Sequence, residues 1–74
     1  MIYKSIMIQF ELTEEYIELI KLLKVTQIAE SGAMAKALVE EGEVVRNGET
    51  ELRKRAKIRK GEEIRVMDET IYVI

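Results

Sequence analysis

The chain contains no cysteine, no histidine, no proline and no tryptophan. Without cysteine there are neither disulfides nor thiolate metal sites, and the composition suits a reducing cytoplasm. Without histidine the usual general base at neutral pH is missing, along with Ser-His and Cys-His nucleophile pairs and the commonest zinc ligand. Most enzyme classes fall away with these two residues, so no catalytic residue, metal or cofactor is expected. No apolar run approaches membrane-spanning length, and Met1 to Phe10 lack the basic start and unbroken apolar core of a secretory signal. The expectation is a soluble, cytoplasmic protein without a membrane partner. Aromatic residues are also few: Tyr3, Phe10, Tyr16 and Tyr72. A binder of single strands would carry more stacking platforms, and Phe10 and Tyr16 read better as core.

The 74 residues allow one small domain, residues 1–74, burying roughly 60% of its unfolded surface, with little room for an enclosed pocket or a small-molecule substrate. Apolar residues at 47% against 35% charged supply a genuine core and argue against disorder. With no linker, repeat or low-complexity tract, nothing suggests a second module.

Periodicity outlines the elements. Ile6, Ile8 and Phe10 alternate with Ser5, Met7, Gln9 and Glu11, as in a half-buried strand. From Thr13 the spacing changes, with Tyr16, Leu19, Ile20 and Leu23 at helical intervals. A first helix to about Lys24 is predicted, with Thr13 as N-cap and Glu14 and Glu15 near its positive end. A second helix begins at a Ser31 cap, carries Ala35, Leu38 and Val39 on one stripe and stops at Gly42. The short connection packs the two helices together. Asn47-Gly48 after Val44-Val45-Arg46 predicts a tight hairpin. A turn at Lys60-Gly61 and strands over Glu63–Met67 and Thr70–Ile74, separated by Asp68-Glu69, complete the chain. The fold class read from this order is α+β, two packed helices against a small, mostly antiparallel sheet.

Charge divides the chain where composition does not. The net charge is -2, yet six of the eight residues from Arg53 to Lys60 are cationic and none is acidic. Residues 1–45 carry -4, residues 46–65 carry +4 and residues 66–74 carry -2. A basic patch on an otherwise acidic body is the footprint of a polyanion site, RNA foremost. Surface strands also use lysine and arginine to keep their edges soluble. Solubility does not require arginine, however, and this run has three, with Arg46 and Arg65 nearby; the planar guanidinium fork suits phosphate and stacks on bases.

In an extended segment Arg53, Arg55 and Lys57 share a face, with Lys54 and Ala56 opposite. Free N–H groups around Ser31, Gly32 and Ala33 at the start of the second helix favour an anion, with Lys36 about one turn on, although Ser31 also serves simply as a cap. The acidic pairs Glu40-Glu41, Glu62-Glu63 and Asp68-Glu69 read as solvated surface, because adjacent side chains diverge. Gly42 and Gly48 are not followed by the Lys-Ser/Thr of a phosphate-binding loop, which removes nucleotide hydrolysis.

The segment Glu30-Ser31-Gly32-Ala33-Met34-Ala35-Lys36-Ala37-Leu38-Val39-Glu40-Glu41-Gly42-Glu43-Val44, followed by Asn47-Gly48-Glu49, by Arg53-Lys54-Arg55-Ala56-Lys57-Ile58 and by Gly61, resembles the S-four-type RNA-binding domain, also called the αL RNA-binding motif. The likeness covers about residues 15 to 67 and is greatest to the small stand-alone bacterial branch. It implies two helices on a small sheet, no catalysis, and binding of structured RNA, ribosomal or transfer, with the ribosome as a candidate partner. Carried over by position, the contacts are Ser31, Lys36, Arg53, Lys54, Arg55 and Lys57, to which the guanidinium argument adds Arg46. Glu18 and Gly32 stand where the wider family usually has arginine, and Gln27 and Ala33 where it commonly has glycine. A second reading is a protein adaptor whose acidic first helix, with Glu11, Glu14, Glu15 and Glu18, docks a basic partner such as a ribosomal protein.

Overall fold

Alternating and helical apolar periods fold into nine short elements in the computed structural model, which describes residues 6–74. They are β1 (Ile6–Phe10), β2 (Ile17–Glu18), α1 (Leu19–Val25), α2 (Gly32–Glu40), β3 (Val44–Arg46), β4 (Glu49–Thr50), β5 (Lys57–Ile58), β6 (Glu63–Val66) and β7 (Glu69–Val73). Tyr3 and Ser5, counted above among the aromatics and the first strand, lie outside the described residues.

The five-stranded sheet has the order β1-β7-β6-β3-β4. Its neighbours are antiparallel except β1, which runs parallel to β7 with Ile6 opposite Glu69 and Phe10 opposite Val73. Strands β2 and β5 form a separate antiparallel pair, Ile17 opposite Ile58 and Glu18 opposite Lys57. The helices pack on each other, and the whole is the two-helix, mostly antiparallel α+β fold expected. Leu19, Leu22 and Leu23 of α1 meet Val39 of α2, Val44, Ile58, Ile64 and Ile71, all fully buried. Each such aliphatic side chain is worth about 1.5–3 kcal/mol of burial, which fixes how the helices sit on the strands.

Local chemistry explains most boundaries. The Ser31 hydroxyl accepts from the Met34 amide at 3.1 Å, satisfying one of the free donors at the start of α2. At its end Gly42 adopts φ +78°, and Glu43 donates to the Leu38 carbonyl at 3.1 Å, a left-handed helix stop that a Cβ would strain. Asn47 and Gly48, at φ +49° and +89°, make the primed hairpin turn between β3 and β4.

Four expectations are corrected. The first helix does not start at Thr13 but at Leu19, and no side chain caps it. Its first donors are taken by main-chain carbonyls instead: the Leu19 amide donates to Ala56 at 2.9 Å and Ile20 to Lys54 at 3.1 Å. Pairing of Ile17 and Glu18 with β5 holds this stretch extended, so tertiary contact overrides a helical period that a short window cannot distinguish. Tyr16 therefore lies at the surface, 37% exposed, and not in the core. Glu11, Glu14, Glu15 and Glu18 likewise precede α1, so the acidic surface invoked for the adaptor reading lies on the segment before the helix and not on a helical face. The last hairpin turns at Met67-Asp68, one residue before the predicted turn, because Met67 accepts φ +56° and Glu69 pairs with Val66.

Candidate nucleic-acid interface

The basic run is not one strand. Main-chain extension breaks at Lys54-Arg55, where the Ala56 amide turns back to the Arg53 carbonyl at 3.1 Å, and resumes as β5. Within it Ala56 and Ile58 are buried, so Arg55, Lys57 and Arg59 between and beyond them face water. The period-two rule thus holds from residue 55 onward even though the strand is only two residues long.

Arg53, Arg55 and Lys57 do come together: with Arg46 and Ala56 they line a shallow hollow of about 450 Å³. Lys54 turns away from it, half-buried, with its Nζ 4.0 Å from Glu40 Oε2 at the last residue of α2. Among the described residues no carboxylate lies within ion-pair distance of Arg55 or Lys57, whose charges remain uncompensated.

Behind the hollow sits a row of alternating charges. Arg46 donates to Glu62 through Nε at 2.6 Å and Nη2 at 3.1 Å, to Glu51 through Nη1 at 3.1 Å, and to the Lys57 carbonyl at 3.0 Å. Glu51 also accepts from Arg53 Nε at 3.0 Å, Nη2 at 3.1 Å and the Arg53 amide at 3.0 Å. Arg46 thus spends four of its five N–H donors on protein groups, while Arg53 shares one fork edge with Glu51 and keeps an exposed guanidinium. Glu62 further accepts from the Arg59 amide at 2.7 Å and from Asn47 Nδ2 at 3.0 Å.

These contacts set the protonation of the row. Arg53's hydrogen bonds hold the Glu51 carboxyl down at about 2 against the opposing effect of burial. Burial pushes Glu62 up, yet the bonds from Arg46, the Arg59 amide and Asn47 outweigh it and leave the carboxyl below its usual range. The guanidinium of Arg46 is raised chiefly by Glu62, and that of Arg53 by Glu51. All four groups are charged at neutral pH, two of each sign, so the net positive field comes from Arg55, Lys57 and their exposed neighbours.

Ser31 and Lys36 are not part of this hollow. Lys54 meets α2 at its last residue, whereas the first residue, Gly32, lies against α1's last turn: a methyl group there would touch Lys24 Cδ at 3.9 Å. Ser31 at the N-cap therefore lies at the opposite end of α2 from Glu40, which Lys54 reaches, about 13 Å of helix away, and Lys36 stands midway along its nine residues. Sequence reasoning missed Lys24 at the near end, since only the packing of α1 on α2 puts it there. It also missed Tyr16, whose ring has Lys57 Nζ at 4.9 Å and Arg59 Cζ at 5.7 Å from its centroid.

The S4 domain family model matches residues 10–74. The chain belongs to the S4 domain family. Two relatives of this S4 domain are the YbcJ proteins of Escherichia coli (strain K12) and Shigella flexneri, each 39% identical over 59 residues, covering 80% of this chain and 84% of the relative. The solution structure of Escherichia coli YbcJ, described as revealing an αL motif involved in RNA binding, matches with a TM-score of 0.74 at 38% identity, covering 100% of this chain and 96% of that one. Two of the departures from the wider S4 pattern now have a structural setting. Gln27 holds a left-handed backbone, φ +65°, a conformation that favours glycine, and Gly32 packs beside the Lys24 stem, where a Cβ would make an ordinary contact at 3.9 Å.

Proposed function

We propose that this S4 domain is a non-catalytic, cytoplasmic module, acting as one domain, that binds structured RNA, ribosomal or transfer, by gripping its phosphates. The observation that carries the reading is the hollow of Arg53, Arg55 and Lys57, pushed outward by the buried Ala56 and Ile58 on a chain of net charge -2. The association of YbcJ's αL motif with RNA supports it. Arg53, Arg55 and Lys57 neutralise phosphates, and Lys54 joins them when it leaves Glu40. Arg46 acts from behind by holding the turn in place. Ser31 and Lys36, with Lys24 beside the start of α2, supply a second contact zone that sets orientation.

The test is fluorescence anisotropy of a structured bacterial RNA, against duplex DNA and heparin, over a salt series. RNA-preferring binding is expected, with log affinity falling against log salt by about three to five phosphate contacts' worth. The triple variant Arg53→Gln, Arg55→Gln, Lys57→Gln should lose most of that slope while staying folded. Absence of binding at low salt, or an unchanged slope in the variant, overturns the reading.

A further inference from the structure

The Tyr16 ring stands at the surface beside the cationic hollow, with Ile17 taking the neighbouring place in the core. It also lines a separate hollow of about 360 Å³ with Glu14, Glu15, Ile17, Glu18 and Lys21. A ring only partly covered forgoes some of the burial that would stabilise it, and here the two cations Lys57 and Arg59 lie over it. Arg59 is held in place by Glu15 at 3.2 Å.

Each part of this arrangement matches one part of a nucleotide. The Lys57 and Arg59 cations lie over the ring, so a base stacks on Tyr16 by taking their place or by using its other face, and the ammonium and guanidinium offer charge to the phosphate beside it. Glu14, Glu15 and Glu18 repel phosphate from the second hollow, so the backbone of a bound strand passes on the Lys57–Arg59 side and a base edge faces the carboxylates. Bases within an A-form helix keep their faces stacked on one another; only an unpaired base can reach the ring.

We propose that Tyr16, with Lys57 and Arg59, forms a subsite for one unpaired nucleobase, next to the helical phosphates held by Arg53 and Arg55. The proposal rests on the RNA reading above and narrows its ligand to a helix interrupted by a bulge or loop. Phosphate contacts alone treat all RNA helices alike, so this subsite is the source of selectivity.

The test uses two RNA hairpins that differ only by a single bulged 2-aminopurine, with wild type, Tyr16→Ala and Tyr16→Phe. Wild type should prefer the bulged hairpin by about tenfold, and the aminopurine fluorescence should be quenched on binding. Tyr16→Ala should lose the preference and the quenching yet bind the uninterrupted hairpin as wild type does; Tyr16→Phe should keep both. Equal affinity of wild type for the two hairpins, or a preference that survives in Tyr16→Ala, overturns the subsite. Wild type binding neither hairpin overturns the RNA reading itself and this proposal with it. Should Tyr16→Ala fail to fold, Tyr16→Leu, which keeps apolar bulk without a π-face, takes its place, and retention of the preference and quenching in it overturns the subsite.

Discussion

Arg46 and Glu62 form a two-pronged ion pair, Nε to Oε1 at 2.6 Å and Nη2 to Oε2 at 3.1 Å, across sixteen positions of sequence. The pair joins the end of β3 to the residue before β6, and Arg46 carries the link onward to Glu51 and to the main chain of Lys57. A cation that pattern alone groups with the phosphate contacts is thus the post on which the basic turn hangs. A planar fork satisfies both carboxylates and a carbonyl at once, which a single ammonium does not.

Arg46→Ala should cost about 1–3 kcal/mol of stability, since it leaves the buried Glu51 and half-buried Glu62 carboxylates short of donors. Arg46→Lys should recover little of it. Urea denaturation of the three proteins checks this, and a loss under 0.5 kcal/mol, roughly the range of a neutral surface change, would mean the row is ornamental.

Stability should depend on acid in a defined window. Glu51 has its folded-state pKa depressed to about 2 from an ordinary 4.5, so its contribution is fully present above about 4.5 and is lost as pH falls toward 2. Glu62 acts in the same direction. Glu51→Gln should therefore flatten the fall in denaturation midpoint between pH 4.5 and 2 without abolishing it, and should lower the midpoint at pH 7. A midpoint curve parallel to wild type would contradict the assignment.

Gln27→Gly should stabilise the fold by about 0.5–1 kcal/mol, because the left-handed backbone there costs a residue with a Cβ more than it costs glycine. Thermal melting of the pair is sufficient. A lower melting temperature would show that the Gln27 side chain contributes more than its backbone conformation costs.

Two single neutralisations separate the interface from the general charge. Arg55→Gln should weaken RNA binding and reduce the salt slope by about one phosphate contact. Arg65→Gln, on the face of β6 opposite the buried Ile64 and Val66, should leave the slope unchanged despite the same change in net charge. Equal effects would mean that binding follows net charge and not place.

Features with short-range causes were legible in the sequence: the Ser31 cap, the stop at Gly42 and the Asn47-Gly48 turn each depend on residues within a few positions. So was the shared outward face of Arg55 and Lys57, because buried Ala56 and Ile58 impose alternation, whereas Arg53 joins them across a turn that alternation does not foresee. Features with distant causes were not. The start of α1 is decided by carbonyls more than thirty residues later, and Tyr16 follows from that. Nothing local marks Glu51, 8% exposed, as the acid that pairs with two arginines, or Arg46 as occupied. Lys24 reaches the start of α2 only through helix packing.

The carbonyls of Lys54 and Ala56 that receive the first amides of α1 divide the basic turn into an inner and an outer half. The side chains of Arg55, Lys57 and Arg59 look outward while Ala56 and Ile58 are buried; its main chain is a splice in the scaffold. Lengthening or shortening this turn by one residue would unseat the helix, whereas exchanging its lysines and arginines would rewrite the ligand preference and leave the architecture intact. The amides of Leu19 and Ile20, shielded from solvent, become built-in reporters: slower exchange of these two hydrogens would register a ligand clamped on the far side of the turn.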